Sequence, residues 1–122
     1  MWEACGAEVI ETTIKHHDEV LAATSHLPHM LAYSLVDTLA KMDAKNEIFD
    51  FAAGGFRDFT RIASSDPTMW RDVALSNQGA LLEMMEQFET FFAELKEDVR
   101  KGDIERLFEF FVRSKQLRDA IL

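Results

Sequence analysis

The sequence predicts an all-α domain, and three observations carry that reading. Only two prolines and five glycines occur in 122 residues, so few positions force the chain to break. Apolar residues recur at spacings of three and four over long stretches, the period of a helix buried on one face. Strong start and stop signals, Asp66-Pro67 and Gly102-Asp103, punctuate those stretches. The length suits one domain with a modest core. With 48% hydrophobic and 29% charged residues, the balance is that of a globular chain rather than a disordered one.

Taken in order, Trp2 to Ile10 reads as the end of a helix, a cap at Gly6 and a short strand over Ala7 to Ile10. A lone strand has no partner in such a chain, so residues 1–15 read as a junction to something outside it and residues 16–122 as the helical domain. His16 to Ala23 forms a helix carrying Val20, Leu21 and Ala23 behind a polar start. Pro28 interrupts it or opens the next helix, since proline fits a first helical turn and not an interior. Met30, Leu31, Tyr33, Leu35, Val36 and Leu39 continue a helical face, and residues 42–46 form a loop. Glu47 to Ala53 is a short helix that Gly54-Gly55 would cap in the left-handed conformation. Phe56, Phe59 and Ile62, three apart, predict a short helix or 3₁₀ turn with Arg57, Asp58 and Arg61 on its other faces.

Asp66 is the N-cap of the next helix and Pro67 its first residue. Asn77-Gln78-Gly79 marks a bend or a close packing point. From Ala80 to Arg100, Leu81, Met84, Met85, Phe88, Phe91, Phe92, Leu95 and Val99 make one apolar stripe. Gly102 caps that helix and Asp103 opens the last one, whose stripe is Ile104, Leu107, Phe108, Phe111 and Val112. Phe110, Leu117 and Ile121 fall off this stripe, so the final helix is apolar on more than one side. Ten phenylalanines and six methionines therefore predict a surface buried by a second subunit as well as by the core; a thick single core is the alternative.

The net charge of -9 argues against a nucleic-acid surface or an anionic membrane, both of which attract basic patches. No apolar run approaches the roughly 18 to 20 residues that span a bilayer. The start, Met1-Trp2-Glu3, lacks the basic and apolar regions of a signal peptide. The single cysteine, Cys5, permits no internal disulfide and reads as a small buried hydrophobe. A cytoplasmic setting is the expectation.

Two polar stretches stand out from the helices: Thr24 to His29, and the irregular run Ala52 to Trp70. All four histidines, His16, His17, His26 and His29, lie close together in sequence. His26 and His29 are a helical turn apart, but no cysteine is near, and Asp18 and Glu19 are not at a metal-ligand spacing. His16 and His17 read as surface residues. His26 and His29 flank a proline at a helix junction, a place from which an imidazole can enter a cleft and hydrogen-bond. Arg61 has a planar fork suited to a carboxylate or phosphate, unless it pairs internally with Asp58. Trp70 is either core or a ligand contact. No G-x-G-x-x-G, G-x-x-x-x-G-K-[ST] or G-x-S-x-G motif is present. The residues alone describe a helical domain with one anion-ready region and no complete catalytic apparatus.

The strings Thr24-Ser25-His26-Leu27-Pro28-His29 and Gly54-Gly55-Phe56-Arg57-Asp58-Phe59-Thr60-Arg61-Ile62-Ala63-Ser64-Ser65-Asp66-Pro67, followed by Met69-Trp70, resemble the C-terminal domain of the prephenate and arogenate dehydrogenase family. The resemblance covers essentially the whole chain. It implies a helical bundle like the C-terminal domain of 6-phosphogluconate dehydrogenase, forming an intertwined homodimer. It also implies an N-terminal Rossmann domain, absent here, that carries the dinucleotide fingerprint and the catalytic histidine. Family enzymes oxidise prephenate with NAD or NADP and decarboxylate it to 4-hydroxyphenylpyruvate on the way to tyrosine; some relatives prefer arogenate. On this resemblance the present chain alone holds no catalytic residue, no cofactor and no metal, and is inactive by itself. Arg61 would grip the ring carboxylate. His29, Ser25 and His26 would line the same pocket and meet substrate or the inhibitor tyrosine, and Gly54 would let backbone come close. Asp58 and Trp70 would approach a neighbouring subunit's pocket, with Asp58 in an ionic gate. A stand-alone helical tyrosine-binding or interaction module is the alternative.

Overall fold

The computed structural model describes residues 6–42 and 45–122. The described residues are mostly helical, with no strand among them. The order is α1 (Gly6–Leu21), a π-helical segment (Ala22–His26), α2 (Leu27–Ala40), α3 (Lys45–Asp50), α4 (Gly54–Thr60), a 3₁₀ turn (Arg61–Ser64), α5 (Pro67–Ser76), α6 (Gln78–Lys101) and α7 (Ile104–Ile121). Two compact units emerge, residues 1–84 and residues 85–122.

The first correction concerns the start of the chain. Residues 7–10 are not a strand; they lie in α1, which begins ten residues before the expected His16 and runs without a break across the 15/16 boundary. Val9, Ile10, Thr12, Thr13 and Ile14 are β-branched, but that preference is weak, Ala7, Glu8, Glu11 and Lys15 among them favour a helix, and an unpaired strand cannot satisfy its backbone. The proposed helix end over residues 2–5, and Cys5, lie outside the described residues.

Pro28 neither breaks the chain nor needs a loop. It stands in the first turn of α2, and the π-helical segment ahead of it keeps the rod continuous, with Leu27 N–H bonded to Ala22 C=O. Nearby carbonyls take side-chain donors: Thr24 Oγ1–H donates to Val20 C=O at 2.7 Å. Wide turns of this kind recur at functional sites.

The second correction concerns Gly54-Gly55. These residues do not cap α3, which ends at Asp50; they open α4, behind Ala53 in an extended conformation. The expected turn over Phe56 to Ile62 is present as α4 tightening into 3₁₀ geometry. Hydroxyls support the change, because Thr60 Oγ1–H donates to Phe56 C=O and Ser65 Oγ–H to Ile62 C=O, both at 2.7 Å.

In the first unit, α2 is the hub. It packs against the 3₁₀ turn, α4 and α3. Among the described residues, Ala22, Leu27, Ala32, Trp70 and Leu81 are the buried apolar residues, and two of the five are alanines, which let helices approach closely. Tyr33 Oη–H on α2 donates to Ser65 C=O at 2.7 Å, tying the hub to the start of α5. There Asp66 caps the helix by accepting from Thr68 N–H at 3.0 Å, as the Asp66-Pro67 signal predicts.

The second unit is a helical hairpin of the rest of α6 and α7. Its turn is set by Gly102, whose φ of +61° is the left-handed conformation glycine takes without strain. Gly102 N–H bonds Val99 C=O at 3.1 Å and Asp103 N–H bonds Asp98 C=O at 3.0 Å, a Schellman closure. Asp103 then caps α7 by accepting from Arg106 N–H. The side chain of Asp98, nearly buried, accepts from Arg106 Nε–H at 2.7 Å, so one ion pair staples the two helices beside the turn. Arg106 is held above its ordinary pKa by that bond.

The hairpin covers only part of the predicted stripes, Leu95, Leu107 and Val112 among them. Leu95, Leu107 and Phe110 are part-covered, whereas Phe91, Phe92, Phe108 and Phe111 are exposed. Phe110, expected off the face, sits at it, because the staple and the turn fix the hairpin's register.

Replacing Gly102 by alanine should destabilise the protein by about 1 kcal/mol, the cost of a Cβ in the left-handed region. Gly55→Ala should be neutral or stabilising by up to about 1 kcal/mol, because it removes backbone freedom from a helix and its Cβ would meet nothing within 4 Å. Urea unfolding of both variants checks this pair; an equal loss would contradict the assignment of Gly102 as the helix stop.

Candidate functional site

The first unit brings together residues from three distant segments. His29, the third residue of α2, stacks on Trp70 of α5 with ring centroids 3.8 Å apart and planes at 21°. His26, at the end of the π-helical segment, meets the same indole edge-on at 6.0 Å. Trp70 is only 8% exposed. Its Nε1–H is buried with no acceptor among the described residues, a state that costs about 1–3 kcal/mol while it lasts. One face of the indole is therefore engaged by His29 of its own chain, with His26 against it edge-on.

Asn77, between α5 and α6, closes the cluster. Its Nδ2 donates to Asp18 C=O at 2.9 Å and lies 3.2 Å from His26 Nδ1. Sequence reasoning saw a bend at Asn77 and missed this role, since the partners are 59 and 51 positions away. Tyr33 likewise reads in sequence only as a face residue; its bond to Ser65, 32 positions away, comes with the fold. Ser25 contributes backbone: its carbonyl faces His29 Nδ1 at 2.8 Å. A carbonyl only accepts, so His29 carries a proton on Nδ1.

Burial pushes His26 below the ordinary imidazole pKa, and the neighbouring His29 adds to the effect; Asp18 opposes it. His26 is thus held neutral near pH 7. The two imidazoles do not gather a third His, Cys, Asp or Glu among the described residues.

Arg61 occupies the first position of the 3₁₀ turn that packs on α2. It is exposed, and among the described residues it has no ion pair or hydrogen bond. The internal pair with Asp58 is not formed, and Asp58 is also exposed and unpartnered there. Gly54 stands exposed at the start of α4, and a Cβ there would meet nothing within 4 Å. No backbone of this chain's described residues approaches it. The site is thus a histidine–tryptophan cluster on α2 and α5 and a free guanidinium on a turn packed against α2.

Against known protein families, residues 13–113 match the model described as prephenate dehydrogenase, dimerization domain. The chain belongs to that family. It is 38% identical to a cyclohexadienyl dehydrogenase of Zymomonas mobilis over 98% of its length, but spans 42% of that protein. It is 39% identical to a prephenate dehydrogenase of Bacillus subtilis over 94% of its length, spanning 31% of it. Among solved structures, prephenate dehydrogenase from Aquifex aeolicus in complex with hydroxyphenyl propionate and NAD+ matches with a TM-score of 0.82 and 42% identity, over 88% of this chain and 38% of that one. A Synechocystis arogenate dehydrogenase matches with the same TM-score of 0.82 at 25% identity, over 88% of this chain and 40% of that one. The family match accounts for the all-α fold. No helix among the described residues is long and apolar enough to cross a membrane.

Because His26 is neutralised by folding, its proton linkage has a definite sign. The unfolded chain takes up a proton near pH 6.5, the folded chain only at lower pH. This group's contribution to stability is full above about pH 6.5 and falls away as pH drops through the folded value. A histidine-resolved NMR titration should place His26 below about 6.5, and His26→Gln should flatten the acid limb of a urea-midpoint profile. A midpoint above the ordinary value would contradict the packing described.

Proposed function

We propose that this chain is the helical C-terminal part of an NAD- or NADP-dependent prephenate dehydrogenase, supplying substrate contacts and the surface on which two copies pair. The observation that carries the reading is Arg61, a guanidinium without a counter-ion among the described residues, on a turn packed against the helix that bears His29. A planar fork left free in this way matches a ligand carboxylate, bound by two parallel N–H bonds. In this reading Arg61 takes the ring carboxylate of prephenate or arogenate. His29, His26 and Ser25 line the same pocket, which can also receive tyrosine, and Gly54 leaves room for the substrate or for another chain. Asp58, exposed one helical turn from Arg61, would belong to an ionic gate at a neighbouring subunit's pocket rather than pair with Arg61 of its own chain.

The residues present do not fit a dinucleotide. Its usual cradle is a strand, a glycine-rich turn and a long helix. The described residues hold no strand, and Gly54-Gly55 open a seven-residue helix. No hydride-transfer step is therefore derived through this chain. Residues 1–15 would lead back to the cofactor domain, and α1, continuous across residue 15, would be the strut between the two. The buried Trp70 Nε1–H, unpartnered among the described residues, supports a site that a further group completes. The family's description as a dimerization domain and the exposed phenylalanines of the hairpin support the homodimer. A cytoplasmic location agrees with this role in tyrosine synthesis.

Calorimetric titration with prephenate and with tyrosine tests the proposal. Arg61→Ala should weaken prephenate binding by about 10- to 100-fold, the loss expected for a charge-assisted bond. Arg61→Lys should recover only part of it, because an ammonium cannot bind both carboxylate oxygens in one plane. Unchanged affinity in Arg61→Ala would remove Arg61 from the site. Binding of tyrosine but not prephenate would favour the stand-alone module instead.

A further inference from the structure

The polar atoms around His26 determine which of its nitrogens carries the proton. Asp18 C=O can only accept, so the Asn77 side-chain atom facing it at 2.9 Å is the NH₂ group. That same Nδ2 has a second hydrogen, and His26 Nδ1 lies 3.2 Å away. Nδ1 must then be the acceptor. With the imidazole neutral, the proton is left on Nε2. His29 is fixed in the opposite sense, since the Ser25 carbonyl at 2.8 Å requires a proton on Nδ1.

We infer that Asn77 is a positioning residue that locks His26 as the neutral Nε2–H tautomer, making it an uncharged hydrogen-bond donor for an oxygen atom of the ligand. The inference rests on the proposed substrate pocket for its purpose, but the tautomer itself does not depend on any ligand. The arrangement gives the pocket a donor beside His29 that brings no additional positive charge. Asn77 can do this because it lies at the break between α5 and α6, where its side chain is free of a helical face and spans from α1 to the π-helical segment. Burial of His26 and the proximity of His29 hold the ring neutral, which the lock requires.

The test is long-range ¹H–¹⁵N correlation on histidine-labelled protein, without ligand, at a pH where His26 is neutral. The wild-type chain should show His26 as the Nε2–H form, favoured about five- to tenfold by the Asn77 bond. His29 should show the Nδ1–H form. Asn77→Asp replaces the donor with a carboxylate that only accepts, so His26 should switch to Nδ1–H or protonate at a higher pH than in the wild type. Asn77→Ala should relax His26 to its intrinsic mixture. His26 found as Nδ1–H in the wild type would overturn the inference even if both variants failed to fold. So would an Asn77→Asp protein, folded by its dispersed Trp70 resonance, whose His26 kept both tautomer and midpoint. Failure of prephenate to bind in the calorimetric experiment would leave these spectra unchanged, so the two claims fail separately.

Discussion

The stacking of His29 on Trp70 is the contact on which the first unit depends. It is the place where α5 meets α2, and it leaves the indole as the largest side chain of a core otherwise made of Ala22, Leu27, Ala32 and Leu81. Buried aromatics contribute more than their area alone when paired with another ring. Here the paired ring is also polar, so the core and the candidate site share atoms. Asn77 and Tyr33 extend the arrangement outward, one to α1 and the π-helical segment, the other to the residue before the α5 cap. A chain that builds its core from site residues gains precise placement of the imidazoles. It also makes stability sensitive to their protonation.

The second unit follows a different logic. Its turn is specified by three local devices, namely Gly102 in the left-handed conformation, the Asp103 cap and the Asp98–Arg106 pair. Its side chains are specified much less by the chain itself. Phe91, Phe92, Phe108 and Phe111 stay exposed, and burying each would contribute about 2 kcal/mol. Such a surface agrees with membership in a family described as a dimerization domain, and the proposed homodimer gives those rings their cover.

Much of this was legible in the residues, and what was missed has physical causes. Asp66-Pro67 and Gly102-Asp103 are local signals whose chemistry is complete within a few residues, and both act where the sequence places them. The long run of apolar residues in α6 likewise sets its own period. Gly54-Gly55 was misread because glycine suits both ends of a helix, and only the extended Ala53 decides between them. The strand over residues 7–10 was misread because β-branched residues also sit in helices when their neighbours favour one. Pro28 opens α2, one of the two places its sequence setting allows, but nothing in the sequence signals the π-helical segment ahead of it. Of the site residues, Arg61, His26 and His29 stood out by type and setting. Asn77 did not, since its function lies in contacts with residues far away in sequence.

Hydrogen exchange at several protein concentrations addresses the central claim, that this is a pairing domain whose hairpin is finished by a second copy. Amides of α2 and α5 around Trp70 should be equally protected at every concentration. Amides of residues 85–122 should gain protection as concentration rises, in step with a sedimentation change from one copy to two. A hairpin equally protected in a demonstrably single-copy sample would contradict the account, because its phenylalanines would then have found their cover without a partner.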